Sequence, residues 1–336
     1  MKKLAQQYPV QRVAEALDVS RAGHYRTTGT GKRDRQNVEL SRHIYRVFTH
    51  HQRRYGSPRI WMQLKAEGIA CSENRVARLM QLNGWQALGV QRRKPRITDS
   101  RHGGPIAPNI LKEITVNRPN QVWAMDITYV QCGDKWVYLA AVLDLYLHKI
   151  VGWQLADHLE SSLVIEALQM AALRQGYPSR VIVHSDRGCQ YASEAFIQMT
   201  KALGYTRSMS AKGNCYDNAA MESLFGVIKR EELNRWDMPH PEDVRFHVFT
   251  YIETYYNRDR IHTALGMTPE AFENSQRNKD EFSQAWIAPQ VGQEKAGEST
   301  PRPRPVVAIS EYSSDNYPIQ ETNIECNNKK EYTNYL

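Results

Sequence analysis

The sequence predicts a mixed α/β layer fold that follows small all-α units. Near residue 120 the apolar pattern changes from a helical period to the alternation of a strand. Three strands with short connections then precede alternating helices and strands, which is the element order of a layered α/β domain. The charge changes at the same place, because the residues before position 120 are strongly basic.

The uneven charge favours a polyanionic partner. The chain has a formal net charge of +8, but residues 1–119 contain 23 Lys and Arg against 8 Asp and Glu, and the rest contains 21 against 28. A basic front third predicts binding to nucleic acid. A membrane surface is the weaker alternative, because no basic amphipathic helix with a Trp, Phe or Leu face is evident.

Composition also argues against several other classes of protein. No apolar run approaches the ~18 residues that a membrane span requires, and the first residues lack the apolar segment of a secretory signal. The five cysteines are scattered and form no CxxC pair, which predicts reduced thiols and argues against a zinc site built on paired cysteines. We therefore expect a cytoplasmic protein.

A first helix-turn-helix is predicted within residues 1–30. Residues 10–17 carry an apolar stripe that breaks at Asp18, and Ser20 can cap a second helix beginning at Arg21. The second helix of such a pair can lie in a DNA major groove, which makes Arg21 a candidate DNA contact. A pair of short helices without contact to DNA is the open alternative.

A second helical unit, similar to a helix-turn-helix, is predicted over residues 36–90. A Gly-Ser-Pro turn starts a helix at Arg59, and Ser72 caps the next helix. Arg75 and Arg78 face outward from the apolar stripe of that helix and are candidate DNA contacts. The alternative is a helical spacer with a solvated basic face.

Residues 91–118 are predicted to be a basic linker. Arg92, Arg93 and Lys94 stand in a run with few acids and a proline, which is typical of an extended tether. Such a tether can lie along DNA phosphates, where it supplies affinity without sequence information.

The layered α/β core domain is predicted over residues 119–275. Its first three strands form an antiparallel meander, and a short buried strand and an edge strand follow, each after a helix. The predicted elements are strands at 121–130, 135–145 and 149–155, a helix at 161–174, a strand at 180–185, a helix at 193–203 and an edge strand at 204–209.

The next helix follows a loop rich in Gly, Asn and Asp. Asp217 or Asn218 is its predicted N-cap. Glu222 lies in its opening turns, and Lys229 lies seven residues later on the same stripe of the helix.

The chain is predicted to remain helical after this point. A helix covers residues 241–257, and Thr268 can cap a last helix that starts at Pro269. Residues 288–336 have no apolar periodicity and are predicted to form a disordered tail.

Three acids stand out as candidate metal ligands: Asp126, Asp186 and Glu222. An aspartate in mid-strand is disfavoured, and when it is half-buried it must be paired or bind a metal. Carboxylates without Cys or His partners favour Mg²⁺ or Mn²⁺. Two such ions would clamp the attacking and leaving oxygens of a phosphoryl transfer. A structural ion pair at Asp126 is the alternative.

Other polar residues of the core have two readings each. His184 is either a ligand or base beside Asp186 or a packing residue. Arg187 and Lys212 are either phosphate contacts or solvated loop charges. Asn257 and His262 are expected to brace a helix end rather than take part in chemistry.

Four motifs together resemble one protein family. They are WAMDITY, HSDRGCQY, SMSAKGNCYDNAAMESLFGVIKRE and YNRDRIHTALGMTPEAF. In this order they resemble the OrfB-type transposases of the bacterial insertion sequences with two overlapping frames, within the retroviral-integrase-like superfamily. The resemblance covers roughly residues 10–275. It implies an RNase H-like core in which the three acids form a metal-binding triad and Lys229 contacts the DNA end.

The resemblance also implies a function and its partners. We expect a metal-dependent DNA transposase that cleaves element ends and joins them to target DNA, with residues 10–26 and 55–82 recognising the ends. The expected partners are double-stranded DNA, further copies of the chain in a synaptic complex, and the product of an upstream overlapping frame. A repressor with a vestigial core and an RNase H-like nuclease are the alternatives.

Overall fold

The computed structural model describes residues 3–21, 32–89, 105–211 and 218–287. The disordered tail predicted at 288–336 and the predicted DNA contacts Arg92, Arg93, Lys94 and Lys212 lie outside these ranges. Within them, no helix has both the length and the apolar character needed to cross a bilayer.

A five-stranded sheet of order β3-β2-β1-β4-β5 forms the centre of the protein. The predicted meander is confirmed, because β1 pairs antiparallel with β2 and β2 with β3. Strand β4 pairs parallel with β1, and β5 is the predicted edge strand, parallel to β4. The strands are β1 Val122–Cys132, β2 Lys135–Asp144, β3 Lys149–Ala156, β4 Ile182–Ser185 and β5 Thr206–Met209.

In the described part of the chain, the α-helices before the sheet are α1 Val10–Ala16, α2 Lys32–His50, α3 Ser57–Ala66 and α4 Glu73–Leu82. Helix α3 begins at Ser57, before the predicted start at Arg59, because Pro58 occupies its first turn and needs no hydrogen-bond donor there. Ser72 caps α4 as predicted, since its hydroxyl accepts from the Arg75 amide.

The helices that follow the first three strands cover both faces of the sheet. On one face, α5 Ser161–Arg174 and α6 Glu194–Ala202 pack in an apolar cluster with residues such as Trp123 and Met125. On the other, α7 Ala219–Glu231 and α8 Pro241–Phe249 share a second cluster with the buried residues of α2, α3 and α4. The front helices α2, α3 and α4 and the core are therefore packed together within one compact unit.

Two details at the end of the core differ from the predicted helices. The helix predicted over 241–257 is α8 followed by a π-helical segment, Thr250–Tyr256. The last helix, α9 Pro269–Ile287, starts at the predicted proline, and Thr268 accepts from the Ala271 amide. It continues past residue 275, the predicted end of the core.

Candidate active site

Asp126 and Asp186 lie side by side at the centre of the sheet. Strands β1 and β4 run parallel, and the last pair of their register is Met125 with Ser185. Asp126 is the next residue of β1, and Asp186 directly follows the end of β4, so the two residues are neighbours at this point of the sheet. The carboxyl ends of parallel strands commonly form ligand sites in such sheets.

Asp126 has a strongly perturbed carboxyl group. Its pKa is raised from 3.8 to about 7, chiefly by burial and then by the carboxylates of Asp186 and Glu222. Hydrogen bonds from the Ile127 amide, at 2.8 Å, and from Asn218 oppose this rise. The site therefore concentrates negative charge where water is partly excluded, and a cation would relieve the repulsion.

Glu222 approaches the two aspartates from helix α7 but does not close a cage around them. Its side chain is exposed, although it acts electrostatically on Asp126. Within the described ranges, the group of three possible ligands whose atoms lie within 4.8 Å of one another is His50, His51 and Asp259, not the acid triad. The structure thus brings the aspartates together and places Glu222 at the rim.

Asn218 makes a contact with the site that its sequence position did not reveal. It is the N-cap of α7, one of the two predicted candidates, but its side chain makes no capping bond. Instead its Nδ2 donates to Asp126 Oδ2 at 2.8 Å. Its Oδ1 is buried without a hydrogen-bond partner in the part of the chain that the structure describes. Asn218 thus fixes one oxygen of Asp126.

The residues that follow Asp186 contact its carboxylate. The Gly188 amide donates to Asp186 Oδ1 at 2.9 Å, and a Cβ at position 188 would lie 3.0 Å from the same oxygen. Tyr191 is fully buried nearby, and its pKa is raised by burial and then by Asp126 and Asp186. Its hydroxyl is therefore protonated at neutral pH.

Lys229 lies on α7 two turns after Glu222 and is half-buried. Burial lowers the pKa of its ammonium group. The neighbouring Phe225 and Ile228 pack into the core and fix this face of the helix.

Other candidates have structural partners. The His184 ring is buried between the hydroxyls of Ser208, at 2.9 Å, and Ser210, at 3.2 Å, so it braces β4 against the end of β5. Arg187 Nε donates to the Ser210 carbonyl at 2.8 Å. The Asn257 side chain accepts from the Ile150 amide and donates to the Ile150 carbonyl, so it holds the edge strand β3.

The front helices present a basic groove of about 640 Å³. Arg78 is exposed there, whereas Arg75 is not simply outward-facing as predicted. Its Nε donates to Asn37 Oδ1 at 3.0 Å and its Nη2 is buried, because α2 packs beside α4. Arg21, at the end of the first described range, is exposed. The groove is lined by Arg33, Gln36, Ser72, Asn74, Arg75 and Arg78.

Family models match most of the described chain. Residues 116–215 and 203–269 match models of an integrase core domain, and residues 34–95 match an HTH-like domain. The fold is therefore the RNase H-like integrase core, as predicted. Together the fold and these matches define a DNA-binding enzyme of the DDE transposase and integrase class.

Sequence relatives identify the family more closely. Transposase InsF for insertion sequence IS3A, from Escherichia coli, is 36% identical over 274 residues, which cover 80% of this chain and 95% of the relative. A 31 kDa protein of insertion element IS600 from Shigella sonnei is 36% identical over 265 residues, or 77% and 97% of the two chains. The chain belongs to the IS3-type family of insertion-sequence transposases, and it is a DNA transposase.

Solved structures with a more distant likeness include two viral integrases. A simian T-cell lymphotropic virus intasome in complex with PP2A regulatory subunit B56 gamma matches with a TM-score of 0.39 and 17% identity over 77% of this chain and 78% of that one. The HTLV-2 integrase catalytic core domain in complex with magnesium matches with a TM-score of 0.37 and 18% identity, over 46% and 95%.

Proposed function

We propose that Asp126, Asp186 and Glu222 hold the divalent cations with which this transposase cuts and joins DNA, two ions of Mg²⁺ or Mn²⁺. The observation that carries the proposal is the placement of two aspartates on adjacent parallel strand ends, with the pKa of Asp126 raised by burial and by the other acids. A donor set of carboxylate oxygens without nitrogen or sulfur suits these hard cations.

The proposed reaction has two in-line steps. A water first attacks a phosphorus atom at the element end, and the bond to the 3′ oxygen breaks to leave a 3′-hydroxyl. That hydroxyl then attacks a target phosphorus and displaces the target's own 3′ oxygen, so the number of phosphodiester bonds is conserved in joining. Bound divalent cations would activate the attacking oxygen and neutralise the charge on the leaving oxygen.

The protein residues supply position in both steps. The strand backbones fix the two aspartates, and Asn218 holds Asp126 Oδ2. Glu222 is exposed beside the two aspartates, where its carboxylate would complete the ligand set. Lys229 would bind a phosphate of the same strand and orient it in line.

We further propose that the basic groove of α4 binds the element end. Arg78, with Arg75 beside it in the groove lining, would contact DNA from the second helix of a helix-turn-helix, the helix that enters the major groove in such units. Arg21 and the basic residues 92–94 would add phosphate contacts. Arg187 is a weaker candidate, because Ser210 already engages its guanidinium group.

The proposed partners follow from transposition itself. Two element ends must be held together, so a homo-oligomer is expected in the synaptic complex, and the product of an upstream overlapping frame is a candidate partner. The domain boundaries proposed from the sequence (1–30, 36–90, 91–118 and 119–275) assign each DNA contact to one unit. A protein with these contacts would be held on the bacterial nucleoid.

The test is a strand-joining assay with Glu222→Gln. End-labelled duplexes of the element terminus are incubated with target plasmid and Mg²⁺, and joined products are counted. We expect joining to fall by on the order of 10³-fold, because the variant loses one carboxylate ligand at the reacting centre. Glu160→Gln is the matched control, since its side chain is 75% exposed at the start of α5. Undiminished joining by Glu222→Gln would refute the assignment.

A further inference from the structure

The turn between α2 and α3 is inserted into the catalytic core. Tyr55, at the centre of this turn, is fully buried. Its hydroxyl accepts from the Ile261 amide at 2.7 Å and donates to the Asp259 carbonyl at 3.3 Å. These partners lie about two hundred residues away in sequence. The turn is therefore a contact between the front helices and the core.

Glu231, the last residue of α7, is the centre of this contact. Its side chain is 1% exposed and its two oxygens accept from Arg260, at 2.8 and 3.0 Å, and from the Tyr251 hydroxyl, at 2.8 Å. Arg59 of α3 donates to the same carboxylate at 3.1 Å. Burial would raise the pKa of Glu231, but Arg260, Arg59 and Tyr251 outweigh it and the pKa is lowered. The group is charged and depends on Arg59, a residue of the front helices.

Arg54 binds the end of α7 beside Glu231 in a similar way. Its Nε donates to the Glu231 carbonyl at 3.0 Å, and its guanidinium group pairs with the buried Glu232. The same group lies 4.2 Å from the centre of the Tyr255 ring. Glu232 also accepts from Trp236 Nε1 at 3.0 Å. Two arginines of the front helices thus hold two consecutive carboxylates at the end of α7.

The neighbouring histidines extend the contact. His51 Nδ1 lies 3.3 Å from the Tyr255 hydroxyl, and its ring stacks on Tyr55. Burial lowers the pKa of His51 to about 4, so the ring is neutral at physiological pH. His50 Nε2 lies 3.3 Å from Asp259 Oδ2.

The geometry of α7 connects this contact to the active site. Its N-cap Asn218 is bonded to Asp126, Glu222 follows in its first turn, and Glu231 is its last residue. The helix has 13 residues and is therefore a rod of about 20 Å. An arginine that moved away would leave a buried carboxylate without its partner, so the paired arrangement opposes hinge motion at this end.

We propose that Arg54, Arg59 and Glu231 form a rigid joint between the DNA-binding helices and the catalytic helix α7. The joint fixes the distance from the DNA held by α4 to the carboxylate of Glu222, and so determines which phosphodiester bond is cut. Glu231 is then a positioning residue that acts through α7. This inference rests on the proposed roles of α4 and Glu222.

The test reads the position of the cut. The full-length protein is incubated with Mg²⁺ and a labelled duplex that contains the element terminus and its flanking DNA, and the products are resolved at single-nucleotide resolution. We expect one cut with the wild type. With Arg54→Met/Arg59→Met we expect cuts spread over neighbouring bonds and a rate at the original bond lower by on the order of 10- to 100-fold, while the Kd for the duplex hardly changes.

Two further variants keep the test decisive. Arg59→Met alone removes a partly exposed contact, with a side chain 19% exposed, and serves if thermal unfolding shows that the double variant does not fold. Arg46→Met is the matched control, because it breaks a surface ion pair with Glu67 within the front helices. A single unshifted cut at the wild-type rate in the arginine variants would overturn the joint, and so would a loss of duplex binding as large as the loss of cutting. If Glu222→Gln also cuts normally, the proposed catalytic site fails instead.

Discussion

The two faces of the sheet are covered by helical layers of different chemistry. Behind β3, α5 packs so closely that a Cβ at Gly152 would lie 2.3 Å from the Ala167 carbonyl oxygen. That face is almost entirely apolar. On the other face, α7 and the π-helical segment bury Glu231, Glu232 and Arg260 among aromatic rings. One layer supports the sheet, and the other connects it to the front helices.

This difference indicates that the apolar face mainly stabilises the fold, whereas the charged face fixes the position of the front helices relative to the core. Apolar packing is insensitive to direction, whereas buried ion pairs lose much of their energy when the partners shift. The acids of the active site lie on the charged side, since Asp126 faces α7 through Asn218. Substitutions on the two faces should therefore have separable effects on stability and on chemistry.

The largest effect expected on the charged side is a dependence of stability on pH. In the metal-free protein the pKa of Asp126 is about 7, against 3.8 ordinarily. Between these values the unfolded chain loses the proton while the folded protein keeps it, so stability falls as pH rises, by about 1.4 kcal/mol per pH unit. Below the lower value the group contributes nothing, and above the higher value the loss is complete.

Asp126→Asn removes the pH-dependent contribution of this carboxyl group to stability. Urea unfolding in EDTA at pH 5 and pH 8 should show the wild type losing about 3 kcal/mol relative to the variant. Taking the difference between the two proteins cancels the other titrating groups. An equal pH dependence in both proteins would show that Asp126 titrates normally.

On the apolar side, Gly152→Ala should reduce stability without changing the chemistry. The added methyl group meets the Ala167 carbonyl oxygen and, at 2.7 Å, the Ala171 amide nitrogen, neither of which can move alone. We expect a loss of about 1–3 kcal/mol or more in the free energy of unfolding. Gly226→Ala on α7 is the control, because nothing lies within 4 Å of its Cβ and helix propensity favours alanine by up to ~1 kcal/mol. Reduced cutting per folded molecule of Gly152→Ala would contradict the separation.

The smallest of these effects is expected at the contact between α7 and Asp126. Asn218→Ala leaves Asp126 Oδ2 without its donor, and partners of metal ligands typically change metal affinity by about 10- to 100-fold. The Mn²⁺ concentration for half-maximal cutting should rise within that range while stability changes little. Asn117→Ala, at an exposed position before β1, should leave it unchanged. An unchanged Mn²⁺ requirement in Asn218→Ala would show that Asn218 does not affect metal binding.

The sequence correctly predicts the elements that depend only on residues close together in the chain. The strand around Asp126, the Ser72 cap and the Thr268-Pro269 helix start are all confirmed, because each depends on residues within a few positions. Residue type and motif, rather than any distance, predict the three acids as metal ligands. The structure shows that the two aspartates are neighbours at the ends of adjacent strands.

Features that depend on distant residues could not be predicted in this way. The position of Asn218 in the sequence predicts a helix N-cap. Its side chain instead donates a hydrogen bond to Asp126 of β1, which lies 92 residues earlier. The turn with Arg54 and Arg59 reads as a helix start or a basic surface, because its acidic partners follow more than 170 residues later. The π-helical segment was predicted as continuous helix, since nothing in residues 241–257 signals the change.

The most direct measurement of the central claim is Mn²⁺ binding by isothermal titration. The wild type, Asp126→Asn, Asp186→Asn, Glu222→Gln and the control Glu160→Gln are titrated under the same conditions. If the three acids form one divalent-cation site, each of the three substitutions weakens Mn²⁺ binding and the control does not. Binding that is the same in all five proteins would contradict the account.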